Sequence, residues 1–355
     1  MTEDISAVLS VRAGRRARTV LAERGFVPEL FTTWLGASGG PKWLVLYGLD
    51  QVLAERWLRP GHGQVALVGS SIGSWRHACL AQRDPLAAIE RFREAYVAQR
   101  YRGEPTPAEV SEQAAVILEH VLGSTGVQEI LAHEGLQTHV VVAHCRGMLA
   151  SERRALLALG LGAAAASNFV SRRALGLHLS RAMFHTGVEA AVTMHRFATH
   201  EVALNGENLH PALMASGAIP LVLAGVANIS GAPPGVYRDG GVVDYHFDFH
   251  MTRPEGLCLY PHFSHSIVPG WFDKYVPWRR LTGPALDDVV MLGPSQQLVA
   301  GLPNGKIPDR SDFRTMKYEE RLRAWQRVTD ESRRMGDALL RLLDDPDPAR
   351  HVTPL

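Results

Sequence analysis

Two short runs in the chain have the residue types and spacing for acyl-transfer chemistry. Both can be written G-x-S-x-G: Gly36-Ala37-Ser38-Gly39-Gly40 and Gly69-Ser70-Ser71-Ile72-Gly73. The second has the physics of a nucleophile turn. A strand must bend sharply into a helix, so the residues two before and two after the apex must be small. The serine oxygen then projects at a helix N-terminus, where partial positive charge favours developing negative charge. Ser71 is the candidate nucleophile and Gly69 and Gly73 support it; a plain structural turn is the alternative. In the first run, Gly39 and Gly40 can offer unobstructed backbone N–H groups to an oxyanion, and Lys42 adds positive charge nearby. Its alternative is a Gly-rich turn that lets a strand and a helix pack. Far downstream, Asp239-Gly240-Gly241 reads as a turn in isolation. Its functional reading makes Asp239 the base for Ser71, with Gly240 and Gly241 supporting it. A free Asp is a weak base at neutral pH, with a pKa of about 3.9, so Asp239 is expected to be partly desolvated and shifted upward.

These residues need strands and helices to place them. Leu30 to Leu35 and Gln64 to Val68 are β-rich runs, each leading directly into a glycine loop. After the first loop, Trp43, Leu46, Leu49, Leu53 and Trp57 recur at helical spacing, with Pro41 suited to the first turn. After the second, Ile72, Trp75 and Cys79 share one side of a helix. Residues 5–24 and 85–133 read as helical, and His139 to Ala143 as a strand. Strand-like runs recur near 191–204 and 257–261. The stripe Tyr318, Leu322, Trp325, Met335, Leu339 and Leu342 predicts a long amphipathic helix packed on the core. Strands alternating with helices imply an α/β fold with a mainly parallel sheet covered on both faces. No repeat or long linker appears, so one domain over 1–345 is expected, with 346–355 as a C-terminal tail.

The ordered set of motifs resembles the patatin-like phospholipase family. That family's pattern is a glycine-rich loop ending in Arg or Lys, then G-x-S-x-G, then A-S-x-A-x-P, then D-G-G or D-G-A. The match runs from Ala37 through Gly241, with Ala215-Ser216-Gly217-Ala218-Ile219-Pro220 as the third element. The resemblance implies a three-layer α/β sandwich and a Ser71–Asp239 dyad. It implies an oxyanion hole from Gly39 and Gly40, and Lys42 as the family's basic residue. It further implies a lipid or other acyl ester as substrate, with no cofactor and no metal. The chain departs from the pattern at three places. Ser38 replaces the first loop's first glycine, Trp43 stands where a Gly often follows the basic residue, and Tyr245 and Phe247 stand where Asn and Pro are common.

Composition and spacing bear on the rival classes. With 37 Lys and Arg against 36 Asp and Glu, the net charge of +1 lacks the basic footprint of a nucleic-acid binder. Cys79, Cys145 and Cys258 form no CxxC pair, which fits a reducing, cytoplasmic setting. Ala155 to Ala166 is apolar but too short to span a bilayer. Arg12, Arg15, Arg16 and Arg18 read as a solvated helix face, with peripheral membrane contact as the minority reading. A dinucleotide site is disfavoured because Lys42 stands where the third glycine belongs and no tyrosine has a lysine four residues later. Three readings stay open. One is a Ser–His–Asp triad using His246, His250, His262 or His265. Another is a metal site on a strand carrying Asp244, His246, Asp248 and His250. The last is a non-catalytic hydrolase-like protein that binds lipid or a partner. Oligomeric state is not legible.

Overall fold

The computed structural model describes residues 3–58, 63–101, 103–253 and 255–355. The chain opens with helix α1 (Ile5–Val8), strand β1 (Leu9–Ala13) and helix α2 (Arg15–Arg24). The single helix expected over 5–24 is therefore interrupted. Leu9, Val11 and Ala13 are buried while Ser10 and Arg12 are half-exposed, a two-residue alternation that pairing with the sheet rewards. The arginine cluster is partly engaged within the molecule. Arg12 donates to the carbonyls of His265 and Pro354, and Arg15 and Arg16 pair with Asp287 and Asp288.

The two strand–loop–helix units form as expected. Strand β2 (Phe31–Gly36) leads through a 3-10 segment, Gly40–Leu46, into helix α3 (Tyr47–Arg56). Strand β3 (Val65–Ser70) turns directly into helix α4 (Ile72–Leu80). Helices α5 (Pro85–Val97), α6 (Pro107–Leu122) and α7 (Gly126–Leu131) occupy the predicted helical stretch. Then come β4 (Leu136–Cys145), helix α8 (Arg154–Val170) and strands β5 (Leu179–His185), β6 (Val192–Met194) and β7 (Thr199–Ala203). Helix α9 (Leu209–Ser216) precedes β8 (Val226–Ala227), β9 (Val236–Asp239), β10 (Phe249–Met251) and β11 (Leu257–Pro261). Strand β12 (Val289–Pro294), short helices α10 (Gln296–Gly301) and α11 (Asp312–Thr315), the long helix α12 (Tyr318–Leu343) and strand β13 (Val352–Pro354) complete the chain.

The main sheet runs β13-β1-β12-β11-β2-β3-β4-β5-β7. Its middle, from β12 to β4, is parallel throughout. Antiparallel pairing enters at β1–β12 and β4–β5. Every residue of β3, β11 and β12 is buried, as both faces of a covered parallel sheet require. The fold is thus a mixed α/β sheet, mostly parallel at its centre and flanked by helices. Trp325, Met335, Leu339 and Leu342 of α12 are buried, while Tyr318 and Leu322 are partly exposed at its start. Residues 352–354 of the expected tail pair with β1 and so belong to the sheet. Among the described residues, no helix is long and apolar enough to cross a membrane.

One detail of register positions the site. Strand β4 is long enough to pair with two strands along one side. Parallel β3 pairs with it up to Ser70 opposite Val141. Antiparallel β9 takes over from there, with Asp239 opposite Val142. The two strands run head-on toward adjacent residues of β4 and both must turn away. Ser71 follows one strand and Asp239 ends the other, so residues 168 positions apart meet.

Candidate active site

Ser71 occupies the turn between β3 and α4 with φ 55° and ψ −131°, a conformation an L-residue adopts only under constraint. Three contacts supply the constraint. The Ser71 N–H donates to Ser216 Oγ at 2.8 Å, and that hydroxyl donates onward to the Val141 carbonyl at 2.8 Å. The Ser71 carbonyl accepts from Ser74 Oγ at 2.6 Å. The flanking glycines are needed for close approach: a Cβ on Gly73 would lie 1.9 Å from the Gly36 carbonyl oxygen, and one on Gly69 would lie 2.5 Å from Ser74 Cα. Helix α4 is tied to α3 by a buried pair, Arg76 Nε to Asp50 Oδ2 at 2.7 Å and Arg76 Nη2 to Asp50 Oδ1 at 2.5 Å.

The Ser71 hydroxyl donates to Asp239 Oδ2 at 2.8 Å. The other carboxylate oxygen, Oδ1, accepts the Gly241 N–H at 2.7 Å. Asp239 is buried, and desolvation raises its pKa to about 6, against the lowering effect of these two hydrogen bonds. The upward shift expected from the sequence is present. Gly240 and Gly241 leave no room for side chains. Added Cβ atoms would fall 2.1 Å from the Val141 carbonyl oxygen and 2.6 Å from Ser38 Oγ.

Ser71 and Asp239 open onto a cavity of about 260 Å³. Gly39, Gly40 and Lys42 of the first loop line the same cavity. Gly40 has φ +54°. Among the described residues, neither the Gly39 nor the Gly40 N–H has an acceptor within the protein, whereas the Ser38 N–H is held by the Tyr245 carbonyl. Ser38 itself is buried and bonded to Ser70 through their hydroxyls at 2.8 Å. The remaining wall includes Tyr245, one of the departures from the family pattern, and residues that no sequence motif marks: Trp271, Lys274 and Arg310. The Lys274 ammonium lies 3.9 Å from the centre of the Tyr245 ring. Burial, and then the neighbouring Arg310 and Lys42 charges, bring its pKa down to about 7. Burial also lowers the Lys42 pKa. Both Lys42 and Lys274 contact aromatic rings, and among the described residues neither has a carboxylate ion-pair partner.

The histidine and metal arrangements are not assembled. No histidine lines the cavity among the described residues. His246 accepts the Val268 N–H at its Nδ1 and packs edge-on to His262, and burial holds both pKa values down. Asp244, His246 and Asp248 lie outside any strand, and only His250 falls in one, β10. The two acids are taken by Arg181 and Arg196. No group of three or more His, Cys, Asp or Glu side chains converges to hold a metal among the described residues.

No family model and no curated protein matches this chain. Solved structures similar to it include the following two. VipD from Legionella pneumophila is 15% identical with a TM-score of 0.32, the match covering 66% of this chain and 50% of VipD. Human GIVD cytosolic phospholipase A2 is 12% identical with a TM-score of 0.34, the match covering 95% of this chain and 64% of the enzyme. The chain spans half the length of the first and under two thirds of the second. At these scores the likeness carries no argument, and the functional reading stands on the site geometry.

Proposed function

We propose that the protein hydrolyses carboxylic esters through an acyl-enzyme on Ser71, with Asp239 as the base. The observation that carries this reading is the 2.8 Å hydrogen bond from a strained, buried serine to a desolvated carboxylate at the wall of a cavity. Ser71 Oγ attacks the ester carbonyl carbon while its proton passes to Asp239 Oδ2. The carbonyl oxygen becomes an oxyanion held by the N–H groups of Gly39 and Gly40. Collapse expels the alcohol, which takes the proton from Asp239. Water then attacks the acyl group, Asp239 takes its proton, and Ser71 leaves with that proton restored. No cofactor enters these steps. The motif order shared with patatin-like phospholipases supports a lipid acyl ester. The Lys42, Lys274 and Arg310 side chains around the cavity favour an ester that also carries an anionic group.

The test is intact-mass labelling with a fluorophosphonate on wild type, Ser71→Ala and Ser38→Ala. One adduct is expected on wild type and Ser38→Ala, and none on Ser71→Ala. Labelling lost only in Ser38→Ala would exchange the roles of the two glycine loops. Absence of any adduct on folded wild type would favour the non-catalytic, lipid-binding reading instead.

A further inference from the structure

Helix α8 has no charged side chain between Ala155 and Val170. A surface helix normally turns polar residues outward. Here the reverse holds. Its polar Asn168 is buried on Asp273 at 2.8 Å, and Ser167 is bonded to His178 at 2.9 Å. The outward face runs Leu159, Gly162, Ala166, Phe169 and Val170, at helical spacing. Phe169 meets Trp278 edge-on, with ring centres 6.2 Å apart, which joins the helix face to the segment after Trp271. Leu159, Phe169, Val170, Leu177, Tyr275 and Trp278 are each between 62% and 91% exposed. An apolar patch of this kind marks an interaction surface.

We infer that this face docks on an anionic lipid surface. Charge selects the occupant. Exposed Arg153 and Arg154 stand at the start of α8, and exposed Arg173 just beyond its end. From Arg146 to Thr186 the sequence holds one carboxylate, Glu152, and it is engaged by Arg238 at 2.7 Å. Apolar and aromatic side chains bordered by arginines suit the boundary between acyl chains and anionic headgroups. A second copy packed on the same face by antiparallel pairing of α8 would set Arg153 and Arg154 against Arg173, which disfavours self-association. The face also adjoins the cavity, because Trp271 and Lys274 line it and Tyr275 is the next residue. This inference does not depend on Ser71 being a nucleophile.

The experiment is co-sedimentation of the full chain with two kinds of vesicle: phosphatidylcholine alone, and phosphatidylcholine mixed with phosphatidylglycerol. Wild type is expected to pellet with the mixed vesicles, and about tenfold more weakly with phosphatidylcholine alone. Phe169→Ser with Trp278→Ser should lose about tenfold in binding while keeping the wild-type melting temperature, since both side chains are exposed. Arg153→Glu with Arg173→Glu, an independent pair, should abolish the preference for the mixed vesicles. Failure of wild type to pellet, equal pelleting with both vesicles, or indifference to the serine pair would each overturn the inference. So would a concentration-dependent dimer that the serine pair disperses, which would make a second copy the occupant.

Discussion

A carboxylate that is to take a proton from a serine must hold protons more tightly than a free Asp does. Burial gives Asp239 that property, with a pKa raised to about 6. Hydrolysis should therefore rise with pH through about 6 and level off above it, when measured on a neutral ester; a flat profile from acid to neutral pH would count against Asp239 as base. The same shift has a sign for stability. A raised folded-state pKa means the native protein binds this proton more tightly than the unfolded chain does. The resulting stability is fully present below about pH 4 and is lost as pH rises through about 6. At neutral pH the buried charge thus costs on the order of 3 kcal/mol. Asp239→Asn removes that charge and keeps the shape. The amide oxygen can accept the Gly241 N–H and the amide nitrogen can donate to Ser71 Oγ. We expect Asp239→Asn to be inactive and to melt several degrees above wild type at neutral pH, as read by calorimetry.

At the scale of elements, the site depends on where β3 and β9 end against β4. Ser216, at the end of α9, bridges this junction by joining the Val141 carbonyl to the Ser71 N–H. Ser216→Ala leaves both buried groups without that partner, which should cost about 1–3 kcal/mol of stability. The turn also loses two of the three contacts that hold Ser71 in its strained conformation, leaving only that from Ser74 Oγ. The expected kinetic signature is a fall in kcat of about tenfold or more with KM near wild type. Ser216→Thr, which retains the hydroxyl, should recover part of it. An unchanged kcat would make Ser216 a packing residue only. The sequence made the two strand–loop–helix units legible because glycine spacing and apolar periodicity are local signals. It did not reveal β9, whose four residues carry no periodicity, nor the shared side of β4, which is a matter of register. It misread β1 as helix because five residues between two helices are too few to break a helical pattern without the partner strand β12. Lys274 and Arg310 were invisible for a related reason: they reach the cavity from a short 3-10 helix, Trp271–Tyr275, and from a turn, neither with a motif, and only the fold brings them to Asp239.

For the whole molecule, a net charge of +1 gives little long-range attraction for an anion. For a small soluble ester the cations placed to act are those of the cavity itself, where Lys42, Lys274 and Arg310, with Asp309 beside them, line a space of about 260 Å³. Charges lining a cavity with low-dielectric walls act more strongly than the same charges on an open surface. The comparison that isolates this is 4-nitrophenyl hemisuccinate against 4-nitrophenyl butyrate, which differ mainly in a carboxylate at the end of the acyl chain. The ratio of their kcat/KM values should favour the anionic ester and should fall about threefold or more between low salt and about 0.5 M salt. Lys274→Met should reduce the ratio while leaving butyrate hydrolysis close to wild type. The ratio also has a pH sign. The Lys274 ammonium, with its pKa near 7, loses its proton as pH rises through that value, so the anionic preference declines there while Asp239 is already largely ionised. Equal pH responses of the two esters, with an unchanged ratio in Lys274→Met, would remove Lys274 from substrate recognition.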